Sequence, residues 1–349
     1  MVAARMACVF SLGLLSATAL AQTDPPPVPA APAAAQESAQ SADQAPPSQV
    51  LVEGKRPGPG FWKVSKGGHV MWVFGMLAPL PAKMEWDDSR IDRLIGQSQE
   101  VLTPPGVSVG MGWLGGLKAV AALPSLVGAV KNPDGAELRQ VVPANDYARW
   151  TVLKAKYIGE DEGIERYRPF FAAERLTDAG MKKSGLSNGI EVRKQISGIA
   201  KKHNVKLTST GVSINLEEPG RLLKDFKQSQ MEDAACFSKT LDSFEGDIDA
   251  MRARANAWAN GNIAEIGKLD YAEREGACTD ALFNSPAAQK HPAFQNLRER
   301  RLASWLTAAE KALANNASTV AVLQMSDILG PKSYLAALQA KGYTVENPK

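Results

Sequence analysis

The chain has 349 residues, 44% of them hydrophobic and 22% charged, with a formal net charge of +3. That balance excludes a strongly basic nucleic-acid binder or a surface built for anionic membranes, and the hydrophobic share is enough for a sizeable core. Three cysteines and three histidines, with no histidine at ligand spacing, exclude a Cys/His zinc cluster.

Met1 to Ala21 reads as a secretory signal peptide. Arg5 supplies the positive n-region, Ala7 to Leu20 the apolar core, and Ala19-Leu20-Ala21 a small-x-small site cut after Ala21. The apolar core is too short for a spanning helix, and an uncleaved anchor is the alternative. No later stretch is apolar for the roughly 18 residues a span needs, so no integral membrane segment is expected after signal cleavage. Residues 22 to 57 form a Pro/Ala-rich tether with Pro25-Pro26-Pro27, expected to stay extended or disordered. Within it, Val50 to Glu53 is a candidate edge strand. A single domain is expected over 58–349.

The domain opens on a hairpin. Phe61 to Val64 and His69 to Phe74 are strand-like runs, and Lys66-Gly67-Gly68 makes the turn, because Gly takes positive φ freely. Gly75 ends the second strand, and Met76-Leu77-Ala78-Pro79 leaves its carboxyl end, where α/β proteins usually meet ligands. Trp62, Trp72 and Trp86 fit a core, with some of them free to line a pocket. Asp87 or Asp88 N-caps a helix burying Ile91, Leu94 and Ile95. Glu100 to Leu102 is a short strand stopped by Pro104-Pro105, and Leu117 to Val130 a helix interrupted at Pro124.

Residues 145–315 read as mainly helical. Asn145 to Tyr157, Phe170 to Lys182 and Glu191 to His203 are helices, and Val205 to Leu207 a strand. Glu160-Asp161-Glu162 and Glu165 form an acidic cluster suited to a helix start or a solvated loop. From Met231 to Asn260, Phe237, Leu241, Phe244, Ile248, Met251, Ala255 and Trp258 recur at helical spacing. They predict one long helix packing on its own chain, or alternatively a dimerising coiled coil. Cys236 and Cys278, the cysteines left after cleavage, suit a disulfide in an exported protein, with two separate buried thiols as the alternative. The bridge would close a loop of about 40 residues, worth at most about 4 kcal/mol. Pro292 precedes a helix over 293–315. Thr319 to Leu323, Lys332 to Lys341 and Tyr343 to Val345 then read as strand, helix and strand, a βαβ crossover. His69, His203 and His291 sit at element ends in local structural roles, and Ser326 has no nucleophile motif around it.

Two stretches resemble the TraB/GumN family, relatives of the TIKI proteases. They are WKVSKGGHVMWVFGMLAPLP near the start and TVAVLQMSDILGPKSYLAALQAKGYTVENP at the end, the latter preceded by RERRLASW. The resemblance spans roughly Gly58 to Pro348. It implies an α/β fold with a central mixed sheet formed from the N- and C-terminal parts and a large helical portion between them. It also implies a bacterial envelope setting, periplasmic or secreted. Family members proposed to be metal-dependent hydrolases carry Gly-x-x-His at the ends of two strands, and two imidazoles there can hold a divalent ion that activates water. Here the first motif reads Gly75-Met76-Leu77-Ala78 and the second Gln324-Met325-Ser326-Asp327, so both histidines are gone. The family's acidic residue falls near Thr103. Its arginine is kept as Arg301, or as Arg300 one residue earlier, with helical phase favouring Arg301. The expectation is a degenerate cleft without metal or other cofactor, holding an envelope partner or a small ligand. The alternative is a peptidase- or esterase-like hydrolase rebuilt around Asp327 and Arg301.

Overall fold

The computed structural model describes residues 58–110, 128–215, 219–228, 233–245, 248–267, 272–330 and 332–348. The signal peptide, the tether, the Val50–Glu53 strand and nearly all of the Leu117–Val130 helix lie outside these residues.

The chain begins with β1 (Phe61–Lys66) and β2 (His69–Met76), antiparallel with Lys66 opposite His69. Gly67 and Gly68 connect them at φ 58° and 89°, so both turn residues need the left-handed region that Gly enters without cost. β2 runs past Gly75 to Met76, because Met76 still pairs with Gln324 on β9 (Ser318–Gln324). β4 (Glu100–Leu102) lies on the other side of β9, followed by β7 (Lys206–Thr208), and β10 (Thr344–Glu346) closes the far edge. The order is β10-β1-β2-β9-β4-β7. β2, β9, β4 and β7 are parallel, and β1 is antiparallel to both β2 and β10. The sheet is therefore mixed and drawn from both ends of the chain, as the α/β reading expects. β9 and β10 point the same way two strands apart, so the final crossover spans β2 and β1.

On β9 every residue from Thr319 to Leu323 is buried. Alternate residues face opposite sides of a sheet, so both faces are covered. The cover includes α1 (Ser89–Gly96) and α4 (Ile190–Lys202). It also includes α9 (Leu297–Asn315) and α10 (Tyr334–Ala340). Ile91, Ile95, Val192, Ile196, Trp305, Ala309, Leu335 and Leu338 join the strand residues in one core.

A second core is helical. It gathers α2 (Ala144–Tyr157), α3 (Pro169–Lys183), α6 (Ala234–Glu245) and α8 (Ala272–Phe283) around Trp150, Leu176, Phe237, Leu241 and Phe244. The Cys236–Cys278 disulfide ties α6 to α8 inside it.

One expectation is borne out for the described residues and one is corrected. The described residues of the stripe from Phe237 to Trp258 lie on α6 and α7 (Ile248–Ala259), and residues 246–247 between them lie outside the described residues. Phe237, Leu241 and Phe244 pack in the helical core, whereas Ala255 and Trp258 pack in the sheet core. These residues of the stripe thus pack within their own chain, as the first of the two readings expects. The helix expected from residue 293 begins at Leu297. Pro292–Phe294 is a separate 3-10 turn, and Asn296 sits at φ 50°, outside the helical range. β3 (Leu80–Pro81), β5 (Val107–Gly110), β6 (Leu186–Ser187) and β8 (Val212–Asn215) form two small pairs, β3 with β6 and β5 with β8, and α5 (Pro219–Gln228) follows β8 in the chain.

Candidate functional site

Parallel pairing sets the carboxyl ends of β2, β9 and β4 side by side, with Met76 opposite Gln324 and Leu102 opposite Ala321. At the end of β2, Gly75 has no room for a side chain. A Cβ there would stand 2.8 Å from Met325 Sδ and 2.8 Å from Trp62 Cζ3. Its carbonyl accepts a 2.6 Å hydrogen bond from Trp258 Nε1. Gly75 is thus a packing position that docks α7 on the strand end. Ala78 follows, half-buried, and the backbone of Gly189 comes up against it: a Cβ on Gly189 would meet the Leu77 carbonyl oxygen at 3.1 Å and Ala78 Cβ at 3.9 Å. Gly189 stands at φ 73° at the head of α4, which lets the chain approach this closely.

The end of β9 turns into one helical turn, Met325–Ile328, with Met325 and Ile328 buried. Asp327 lies opposite Arg301, its Oδ2 3.8 Å from Arg301 Nη2. Arg301 also donates to the Pro105 carbonyl beyond β4, from Nη2 at 2.8 Å and Nε at 3.3 Å. Arg300 turns away and donates to the Ala293 carbonyl. Of the two arginines it is therefore Arg301 that reaches the strand ends, one turn before the buried Trp305. Tyr334, at the start of α10, packs edge-on against Trp305 with ring centroids 5.3 Å apart. Burial first, and then the charge of Asp327, push its phenol up to about 12, against the pull of Arg301 and Arg298. Tyr334 therefore remains a neutral hydroxyl at physiological pH beside an arginine and a carboxylate. Sequence reasoning missed it, because nothing near Tyr334 in sequence marks it as a neighbour of Arg301.

The other sequence candidates lie elsewhere or serve structure. Thr103 is held through its backbone: its N–H donates to Thr208 and its carbonyl accepts from Thr210 Oγ1. His69 donates from Nδ1 to the Asn316 carbonyl at the opposite end of the sheet, His203 meets Asp92 and His291 meets Asp225. Asp161 caps the turn Glu162–Arg166, and Glu165 accepts from Trp150 and Lys154. Trp62 and Trp86 are buried in the sheet core. Beside the Ala78 arm lies a pocket of about 30 Å³ lined by Leu80, Trp86, Glu191, Gln195 and Trp258 among others.

These residues do not fit the divalent ion that the Gly-x-x-His resemblance implies. Ala78 brings no donor atom and Thr103 no carboxylate. Asp327 brings one carboxylate, already beside a guanidinium whose charge repels a cation. Among the described residues no three His, Cys, Asp or Glu side chains come together as a metal-binding group.

The family model described as TraB/PrgY/gumN family matches residues 60–347. No curated protein and no solved structure matches the chain.

Proposed function

The chain belongs to the TraB/PrgY/gumN family, and from that premise we propose that it is an exported envelope protein that has given up metal chemistry and holds a partner or small ligand at its strand-end cleft. The observation that carries this reading is the Asp327–Arg301 pair. The second histidine position holds a carboxylate set against the family arginine, while the first holds Ala78. A cation entering such a site meets one carboxylate beside a fixed cation, and Ala78 offers it no donor atom. Export is supported by the Met1–Ala21 pattern and by the Cys236–Cys278 bridge, a bond that persists in oxidising compartments such as the periplasm. Purified protein screened against peptide and ester substrates is expected to give no turnover. Hydrolysis that disappears in Asp327→Ala would overturn the reading.

A second reading has one observation in its favour. Tyr334 adds a neutral hydroxyl beside Asp327 and Arg301, and a hydroxyl, a carboxylate and a guanidinium together suit a rebuilt hydrolase. That version requires activity to fall on Arg301→Ala, and unchanged turnover in that variant would sink it.

A further inference from the structure

The net charge of +3 averages over an uneven chain. Lys182 and Lys183 end α3, Arg193, Lys194, Lys201 and Lys202 lie on α4, and Lys206 opens β7. Glu191 is the single acid among residues 182–206, so this stretch has a net charge of +6 and all the other residues together sum to −3. All seven cations are exposed. A solvated face ordinarily intersperses both signs, so seven to one is a segregated charge.

α4 gives that charge a shape. At about 100° per residue, Val192, Ile196 and Ile199 fall on one side of the helix and are buried. Ile190, Lys194, Ser197 and Lys201 fall within about 60° of one another on the opposite side. Ile190, 42% exposed, is a large apolar side chain on that outward stripe. The acids nearby are few. Asp92 of α1 lies 2.8 Å from Lys202 and 3.2 Å from His203, and Asp88 accepts from Gln195. Glu191 accepts from Ser187 and feels Arg193 and Lys194, and Glu100 lies 3.7 Å from Lys206. Arg90 and Arg93 on α1 are exposed too, so α1 with its N-cap Asp88 and α4 together carry six cations and three acids. A bilayer interface supplies what such a face lacks, phosphates for the cations and an apolar layer for the isoleucine.

We propose that the outward face of α4 docks the protein on a bilayer surface containing anionic phospholipids, with Lys194 and Lys201 meeting head-group phosphates and Ile190 entering the layer beneath them. The inference is separate from the cleft reading, and Asp327 and Arg301 take no part in it.

Co-sedimentation of the full chain with vesicles tests it, using phosphatidylcholine alone and phosphatidylcholine with about 30% phosphatidylglycerol. The neutral vesicles report any apolar capture by the rest of the chain. Tighter binding to the anionic vesicles is expected, released as salt shortens the reach of charge. A Lys or Arg near such a surface is worth about fivefold, so Arg193→Gln, Lys194→Gln and Lys201→Gln combined should weaken binding on the order of a hundredfold. Ile190→Ser should weaken it about fivefold. Lys290→Gln, Lys311→Gln and Lys332→Gln combined remove the same charge from exposed positions elsewhere and should change binding far less. Equal binding to both vesicles, an unchanged α4 triple variant, or equal losses in the two triple variants overturns the proposal. Full binding by Ile190→Ser, with soluble polyglutamate displacing the vesicles, also overturns it and marks an acidic polymer as the partner. Circular dichroism of each variant separates lost binding from lost folding.

Discussion

Arg301 makes two contacts of unequal weight. Its hydrogen bond to the Pro105 carbonyl is 2.8 Å long and charge-assisted, while its approach to Asp327 is 3.8 Å between partly exposed groups. Bonds of the first kind are worth about 1–3 kcal/mol and pairs of the second about 1 kcal/mol or less. Arg301→Ala is therefore expected to cost about 1–3 kcal/mol, and Asp327→Asn about 1 kcal/mol or less, in urea unfolding. The reverse order would mean that Asp327 is the structural residue. Tyr334 makes a second prediction at this scale. Its phenol, ordinarily near 10, is raised to about 12 in the fold, first by burial. The neutral form is favoured by folding, so this contribution is fully present below pH 10 and is lost as the pH rises toward about 12. In an alkaline absorbance titration, Tyr334→Phe should remove a phenolate step near pH 12. Loss of a step near pH 10 instead would contradict the burial of Tyr334.

Helix packing supplies the prediction at the next scale. Gly180 on α3 faces the ring of Phe244 on α6 so closely that an added methyl overlaps it. Alanine is the better helix former by about 1 kcal/mol, yet overpacking costs about 1–3 kcal/mol. Gly180→Ala should therefore lower the thermal midpoint, and a raised midpoint would show that α3 and α6 do not meet this way. The strands of the central sheet and most of the long helices were legible in the sequence because their apolar periods survive folding: Thr319 to Leu323 reads as a buried strand and is one, whereas the short strands β3, β5, β6 and β8 and the helix α8 were not read. The Phe237–Trp258 stripe was legible as a buried face, but a period of 3.6 does not say which core buries it. Phe237, Leu241 and Phe244 serve the helical core, and Ala255 and Trp258 the sheet core. Arg301 was legible from helical phase and the resemblance together. Tyr334, the Trp258–Gly75 bond and the Gly189 backbone against Ala78 were not, since each joins residues far apart in sequence and leaves no local pattern.

At the scale of the whole molecule, the ends of the chain build the sheet and the middle builds a helical mass with its own core. The strand ends where the family resemblance implies two imidazoles hold Ala78 against Gly189, and Asp327 against Arg301. On the proposed reading, these side chains do not suit a metal. Metal binding by the purified protein and by Asp327→Ala tests this most directly, with elemental analysis followed by calorimetry using zinc, manganese and calcium. The account predicts no stoichiometric binding by either protein. One ion bound per chain, and released by Asp327→Ala, would contradict it and would mean that the site had been rebuilt around that carboxylate.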